Sequence, residues 1–115
     1  GYNTSFYMLG WTPDTYDAHN VLLNIISSRG EGSTQGLFNV GGYSNSRVDE
    51  LTRLIQVETD QKKRQAMISE AMKIHKEEFG HIPLHQQTVV WAARKNIDLV
   101  QLADNFFPLR YVKVK

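Results

Sequence analysis

Apolar positions fall into short stretches whose spacing changes along the chain. Residues Ser5 to Trp11 (Ser-Phe-Tyr-Met-Leu-Gly-Trp) are nearly all apolar or aromatic and stop at Thr12-Pro13-Asp14, the pattern of a short buried strand feeding a turn. Asp17 then stands where a helix N-cap belongs, ahead of Val21, Leu22, Ile25 and Ile26. Those four make one helical stripe, and Gly30 is placed as its C-terminal stop. Gly30 to Ser46 holds five of the eight glycines and reads as a long loop, a length that is often functional.

Ser46-Arg-Val-Asp49 has the form of a capping box with Asp in place of Glu. Val48, Leu51 and Ile55 carry a helix stripe to about Glu58. Thr59-Asp60 interrupt it, and a second helix is predicted from Gln61 to Phe79, with Ile68, Ala71, Met72, His75 and Phe79 on its core face and Gly80 ending it. The two helices make a hairpin. Beyond it, His81 to His85 and Thr88 to Ala92 read as extended, because Pro83 breaks a helix and Val89-Val90-Trp91 favours a strand. The ending Arg-Tyr-Val-Lys-Val-Lys alternates like a strand. The result is a mixed α/β chain with few strands, whose sheet is expected to be completed by other chain.

Composition narrows the function classes. In 115 residues there are 13 Lys+Arg against 12 Asp+Glu, a net +1 with both signs scattered, so no basic stripe is available for phosphates and nucleic acid is not an expected partner. The 41% hydrophobic share and mean hydropathy of −0.41 suit a globular domain. With zero Cys, disulfides, thiolate chemistry and Cys-ligated metals are excluded. No apolar run approaches the ~20 residues of a membrane span, and the start, Gly1-Tyr2-Asn3-Thr4, has no signal-peptide pattern.

Candidate chemistry is sparse. His81 and His85 have the i, i+4 spacing of a zinc helix, but Pro83 lies between them, and on extended chain they stand ~13 Å apart. His75 and His19 read as packed or surface residues, so no metal or other cofactor is expected. The glycines at 30, 32 and 36 follow a helix and lack a Lys-Ser/Thr ending, unlike a phosphate loop. Glu50, Glu58, Glu70, Glu77 and Glu78 read as a solvated face, and Lys62-Lys63-Arg64 as a water-facing helix start. No nucleophile or acid–base pair stands out, so the chain is not read as an enzyme. One constellation remains, Gly10-Trp11-Thr12-Pro13-Asp14. Beyond a strand end, Trp11 offers a flat apolar wall and Asp14 a carboxylate for a ligand cation; spacing alone favours the plainer reading, in which Trp11 is core and Asp14 caps a turn.

Several strings, in order, resemble a known family: Tyr7-Met-Leu-Gly-Trp-Thr-Pro-Asp14, Asp17-Ala-His-Asn, Asn39-x-x-x-Tyr43-Ser-Asn45-x-x-Val-Asp49, Asp60-x-x-x-Arg64 with Ala71-x-x-Ile74, and Ile82-Pro-Leu84. They resemble the C-terminal part of the family 5 extracytoplasmic solute-binding proteins, the peptide and nickel receptors of ABC importers. The resemblance implies a fragment of a two-lobed, periplasmic-binding-protein-like fold. Residues 1–85 would belong to the second lobe, and 86–115 would cross the hinge towards the first. It implies a ligand site in which Asp14 pairs with a peptide α-ammonium group, Trp11 and Thr12 line the pocket, and Asn39 reaches the cleft. The implied partners are a peptide or other small solute, the membrane permease of the transporter, and the first lobe of the same chain. The implied location is periplasmic or extracytoplasmic, with or without a lipid anchor.

Two departures are visible: Ser46 stands where Pro is common after Tyr-x-Asn, and Ser27-Ser28-Arg29-Gly30 lacks the His of nickel-binding members. The alternatives are the same receptor class carrying a nickel chelate, haem, sugar, opine or glutathione, or a free-standing protein-interaction domain. A fragment would expose apolar surface and tend to dimerise; a free-standing domain would cover it.

Overall fold

The computed structural model describes residues 6–13, 15–30 and 32–115. The chain divides into two compact units, Gly1–Pro83 and Leu84–Lys115. Its secondary structure is mixed, with helices in the first unit and a small antiparallel sheet in the second.

In the first unit, helix α1 (Ala18–Val21) runs directly into a π-helical turn (Leu22–Ile26). Asp17 caps the start, its side chain accepting the His19 N–H at 2.8 Å. The wider π turn, closed by the Ser27 N–H on the Leu22 carbonyl at 2.8 Å, brings Leu22, Ile25 and Ile26 into the core together. The helix stops at Ser27, three residues before the expected glycine. Its ending does not need a glycine cap, because the following loop folds back over it. Gly36 N–H donates to the Leu23 carbonyl at 2.8 Å and Phe38 N–H to the Asn24 carbonyl at 2.9 Å, two acceptors a helix end would otherwise leave bare. Gly36 has φ +64°, and a Cβ there would lie 2.5 Å from the Ser27 oxygen, so the close approach requires glycine.

Helix α2 (Ser46–Val57) begins at the residue expected to cap it. Asn45, not Ser46, is the N-cap, and its side chain accepts the N–H groups of Arg47 and Val48. Asp49 therefore makes no capping box; it accepts the Ser28 N–H at 2.8 Å and the Gln35 side chain at 3.3 Å, tying the loop to α2. Helix α3 (Gln61–Glu77) is capped by Asp60, which accepts the Lys63 N–H at 3.0 Å. The hairpin core consists of Val48, Leu51 and Ile55 against Ile68 and Ala71, with Leu22, Ile25 and Ile26 laid across it.

The C-terminal end of α3 differs from expectation. The helix ends at Glu77, Phe79 takes a left-handed φ of 52°, and both Phe79 and Met72 are exposed rather than core. Once the chain leaves α3, Phe79 no longer shares the face that Ile68 and Ala71 bury.

No strand forms over residues 6–11 or 88–92; Ser5 lies outside the described residues. Residues 6–11 join no β-ladder among the described residues, and Phe6 and Met8 are exposed despite their apolar character. Among the described residues, the strand pairing lies in the second unit. There β1 (Ile97–Asp98) pairs antiparallel with β2 (Lys113–Val114), and Lys115 reaches Asp98 at 2.7 Å. The alternating ending thus supplies only two strand residues, after a 3-10 turn at Leu109–Tyr111. In the same unit Trp91 donates to the Asn105 side chain at 2.7 Å and packs on Phe107. Among the described residues, no helix is long and apolar enough to cross a membrane.

Leu51 and Ile55 are fully buried at the centre of the hairpin. Ile55→Ala is expected to cost about 2–5 kcal/mol in urea denaturation, whereas Val57→Ala, at an exposed position of the same helix, should stay within about 0.5 kcal/mol.

Candidate functional site

The sequence-selected residues occupy the arm before α1 and the loop after it. Trp11 is half-buried, packed against the core, with its indole N–H donating to the Asn20 side chain at 2.7 Å. Its ring lies against Phe38 of the loop, centroids 5.0 Å apart and tilted by 58°. Trp11 therefore joins arm, helix start and loop, and its orientation is held at both the polar and the apolar side. Thr12 beside it is exposed. Asp14 lies outside the described residues.

Asn39 sits deep in the loop, 1% exposed. Its Nδ2 donates to the Ser27 carbonyl at 2.9 Å and the Tyr43 carbonyl at 2.7 Å, and its Oδ1 accepts the Tyr43 N–H at 3.1 Å. In this conformation the amide is a staple inside the loop, with both donor hydrogens used on backbone. The structure thus sets Trp11 next to the loop that Asn39 closes, through Phe38, without bringing the Asn39 side chain to the surface.

A depression of about 350 Å³ opens beside the start of α1, lined by Thr15, Tyr16, Asp17, Ala18, Arg64 and Ile68. Arg64 does not face water alone as the Lys62-Lys63-Arg64 cluster suggested. Its Nη2 donates to both Asp17 oxygens, at 3.0 and 2.8 Å, and its Nε to the Ile55 carbonyl at 3.2 Å. One guanidinium thereby ties α3 to the cap of α1 and to α2. The Asp17 carboxyl is held below its ordinary 3.8, first by the His19 backbone N–H and then by Arg64.

The glutamates are likewise more engaged than a solvated face. Arg47 bridges Glu50 and Glu70, each at 2.8 Å, and Glu78 accepts from the Tyr43 hydroxyl at 2.7 Å and the Asn45 amide at 2.8 Å. Glu58 accepts the Asp60 N–H at 2.8 Å. Among the described residues, no group of three or more His, Asp or Glu side chains is arranged to hold a metal ion.

Neighbouring residues do not mark the Asp17–Arg64 pair as a contact. The two residues are 47 positions apart, and only their shared presence among the motif strings marked them.

Removing the Asn39 staple leaves buried carbonyls and an N–H without partners, so Asn39→Ala is expected to destabilise the chain by about 1–3 kcal/mol in chemical denaturation. Asp17 has a folded pKa below its unfolded value, so its contribution is present above pH 3.8 and is lost as pH falls through the folded value. Between pH 5 and pH 3 the wild-type denaturation midpoint should therefore fall more steeply than that of Asp17→Asn. Compared with protein-family models, curated proteins and solved structures, the chain matches none.

Proposed function

We propose that this chain is the C-terminal segment of an extracytoplasmic solute-binding receptor that delivers oligopeptides or dipeptides to the membrane permease of an ABC importer. The class comes from the ordered motif strings. The observation that carries the fragment reading is apolar surface left uncovered in the first unit. Phe6, Met8 and Phe79 are exposed by 85, 78 and 81%, and Ile82 by 74%, values that a free-standing domain would be expected to reduce by packing. In this reading the missing cover is the first lobe of the same chain, and the clamp closes on the ligand between the lobes.

The motif positions support the reading in a second way. Several of them bond one another or cap helices of the first unit: Asp17 with Arg64 across 47 positions, Asn39 with Tyr43, Asn45 at the start of α2, Asp60 at the start of α3. They act as a frame around the arm, while Trp11 and Thr12 supply its ligand-facing wall and Asp14 the partner of the peptide ammonium. Tying Trp11 to Asn20 and Phe38 fixes the wall before ligand arrives, which reduces the ordering cost of binding.

In the full-length receptor, Asp14→Ala should weaken peptide binding by roughly 10–100-fold, the worth of one charge-assisted hydrogen bond, with an unchanged denaturation midpoint. Unchanged affinity by calorimetry would remove the ammonium role. For the chain as it stands, light scattering is expected to show dimers or larger species. A strictly monomeric chain at high concentration, with no binding of hydrophobic dye, would instead favour the free-standing interaction domain.

A further inference from the structure

Tyr7, Gly41, His75 and His81 come from four parts of the first unit: the arm, the loop, α3 and the segment that follows α3. His75 Nε2 and His81 Nδ1 stand 2.9 Å apart, with ring centroids 5.1 Å apart and planes inclined by 33°. At that distance one nitrogen carries the hydrogen and the other accepts it. The remaining ring nitrogen of His81, Nε2, lies 3.1 Å from the Tyr7 hydroxyl, which accepts the Gly41 N–H at 3.2 Å. One hydrogen-bonded line thus runs from loop to arm to the post-helical segment and into α3.

The pair is closely packed. The Tyr43 ring meets His75 at right angles, centroids 5.0 Å apart. A Cβ on Gly80 would fall 2.5 Å from the His75 ring and 2.8 Å from the Tyr43 ring, so a larger residue here would displace those rings. Gly80 N–H donates to the His75 carbonyl at 3.1 Å.

Counting protons separates three states. A neutral pair holds one hydrogen between the rings. One added proton is accommodated: His81 then donates from Nδ1 to His75 and from Nε2 to the Tyr7 oxygen, whose own hydrogen turns outward. A second added proton puts hydrogens on both facing nitrogens and two positive charges at contact distance, which the closed pair does not tolerate.

We propose that His75 and His81 form a proton-counting clasp that stays closed through the first added proton and opens on the second, releasing the arm at Tyr7 and the segment 79–83 from the loop and α3. The other groups beside the pair are the Tyr7 hydroxyl, the Tyr43 ring and the Glu78 carboxylate. Glu78 favours the charged form of His75, while its own oxygens are held by Tyr43 and Asn45. Against that, burial holds His75 below its ordinary 6.5, with the His81 charge adding to the depression; burial alone does the same to His81. Because both folded values lie below the unfolded ones, the unfolded chain binds more protons under pH 6.5. The pair's contribution is therefore complete above that value and declines as pH falls. This device does not depend on the identity of any ligand.

The test is a titration of the imidazole nitrogens by NMR from pH 8 to pH 4 on the whole chain, with amide exchange followed in parallel. Two coupled steps are expected, their proton affinities about tenfold or more apart. Protection of the Gly41 and Gly80 amides should survive the first step and fall by about tenfold or more in the second, while Leu51 and Ile55 in α2 stay protected. His81→Asn keeps a hydrogen-bonding group beside His75 but takes no proton, so the second step and the opening should vanish. Tyr7→Phe should keep the coupled titration and abolish the Gly41 response. Independent titrations of the two histidines would overturn the clasp. So would unchanged protection through both steps, loss of α2 protection at the same pH, or opening of His81→Asn at the wild-type pH.

Discussion

The first unit depends on how a buried amide is satisfied. Asn39 lies at the junction of a π-helical turn, a glycine-rich loop and a two-helix hairpin, and its three hydrogen bonds all go to backbone of Ser27 and Tyr43. A polar group in that position is costly unless every capacity is met. Meeting it forces Tyr43 back towards Ser27, and the rest follows from that closure. Gly36 and Phe38 come to lie on the end of the first helix, Asp49 reaches the loop from α2, and Phe38 is presented to Trp11. Ser27 completes the arrangement by donating its hydroxyl to Thr52, which in turn bonds the Val48 carbonyl. A polar line thus threads the apolar core, with both hydroxyls engaged.

Much of the helical part was legible because its signals are local. The Val48–Leu51–Ile55 stripe and the break at Thr59-Asp60 lie in the sequence as they do in the structure, and Asp17 caps its helix as its position implied. What misled was chemistry whose partners are remote. Asp49 has capping-box spacing from Ser46, yet its carboxylate is drawn to the Ser28 N–H; Asn45 was free to take the cap. Gly30 looked like a helix stop, but the loop caps that helix from Gly36 and Phe38, which a reading of neighbours does not reveal. Apolar runs before Trp11 and around Val90 resemble strands by composition, and composition alone does not provide a partner edge. The candidate site was legible to a similar degree. Trp11 stands out as a large aromatic at the end of an apolar run. Its tether to Asn20 and the buried position of Asn39 depend on the fold.

The arm carrying Trp11 is held without β-pairing. Tyr7 fastens it near one end through hydroxyl and imidazole contacts, and Trp11 fastens it at the other through an indole hydrogen bond and ring packing. Between these points Met8 and Leu9 are exposed. Two side-chain tethers of different chemistry, one titratable and one built on an indole, thus set the position of a segment that a sheet would have locked through its backbone.

The loop has two regions of opposite character. From Gly36 to Tyr43 it is pinned to the helix end by successive backbone bonds and by Asn39, with a Cβ at Gly36 sterically forbidden. At Gly32, by contrast, a Cβ would meet nothing within 4 Å, and Ser33 and Thr34 after it are exposed. Loop-closure entropy rises only slowly with length, so an inserted peptide at the tip would leave the pinned half in register. The tip is thus the natural place in this unit for an epitope or fluorophore, whereas one extra residue after Gly36 would put Phe38 and Asn39 out of step with the helix end they bond.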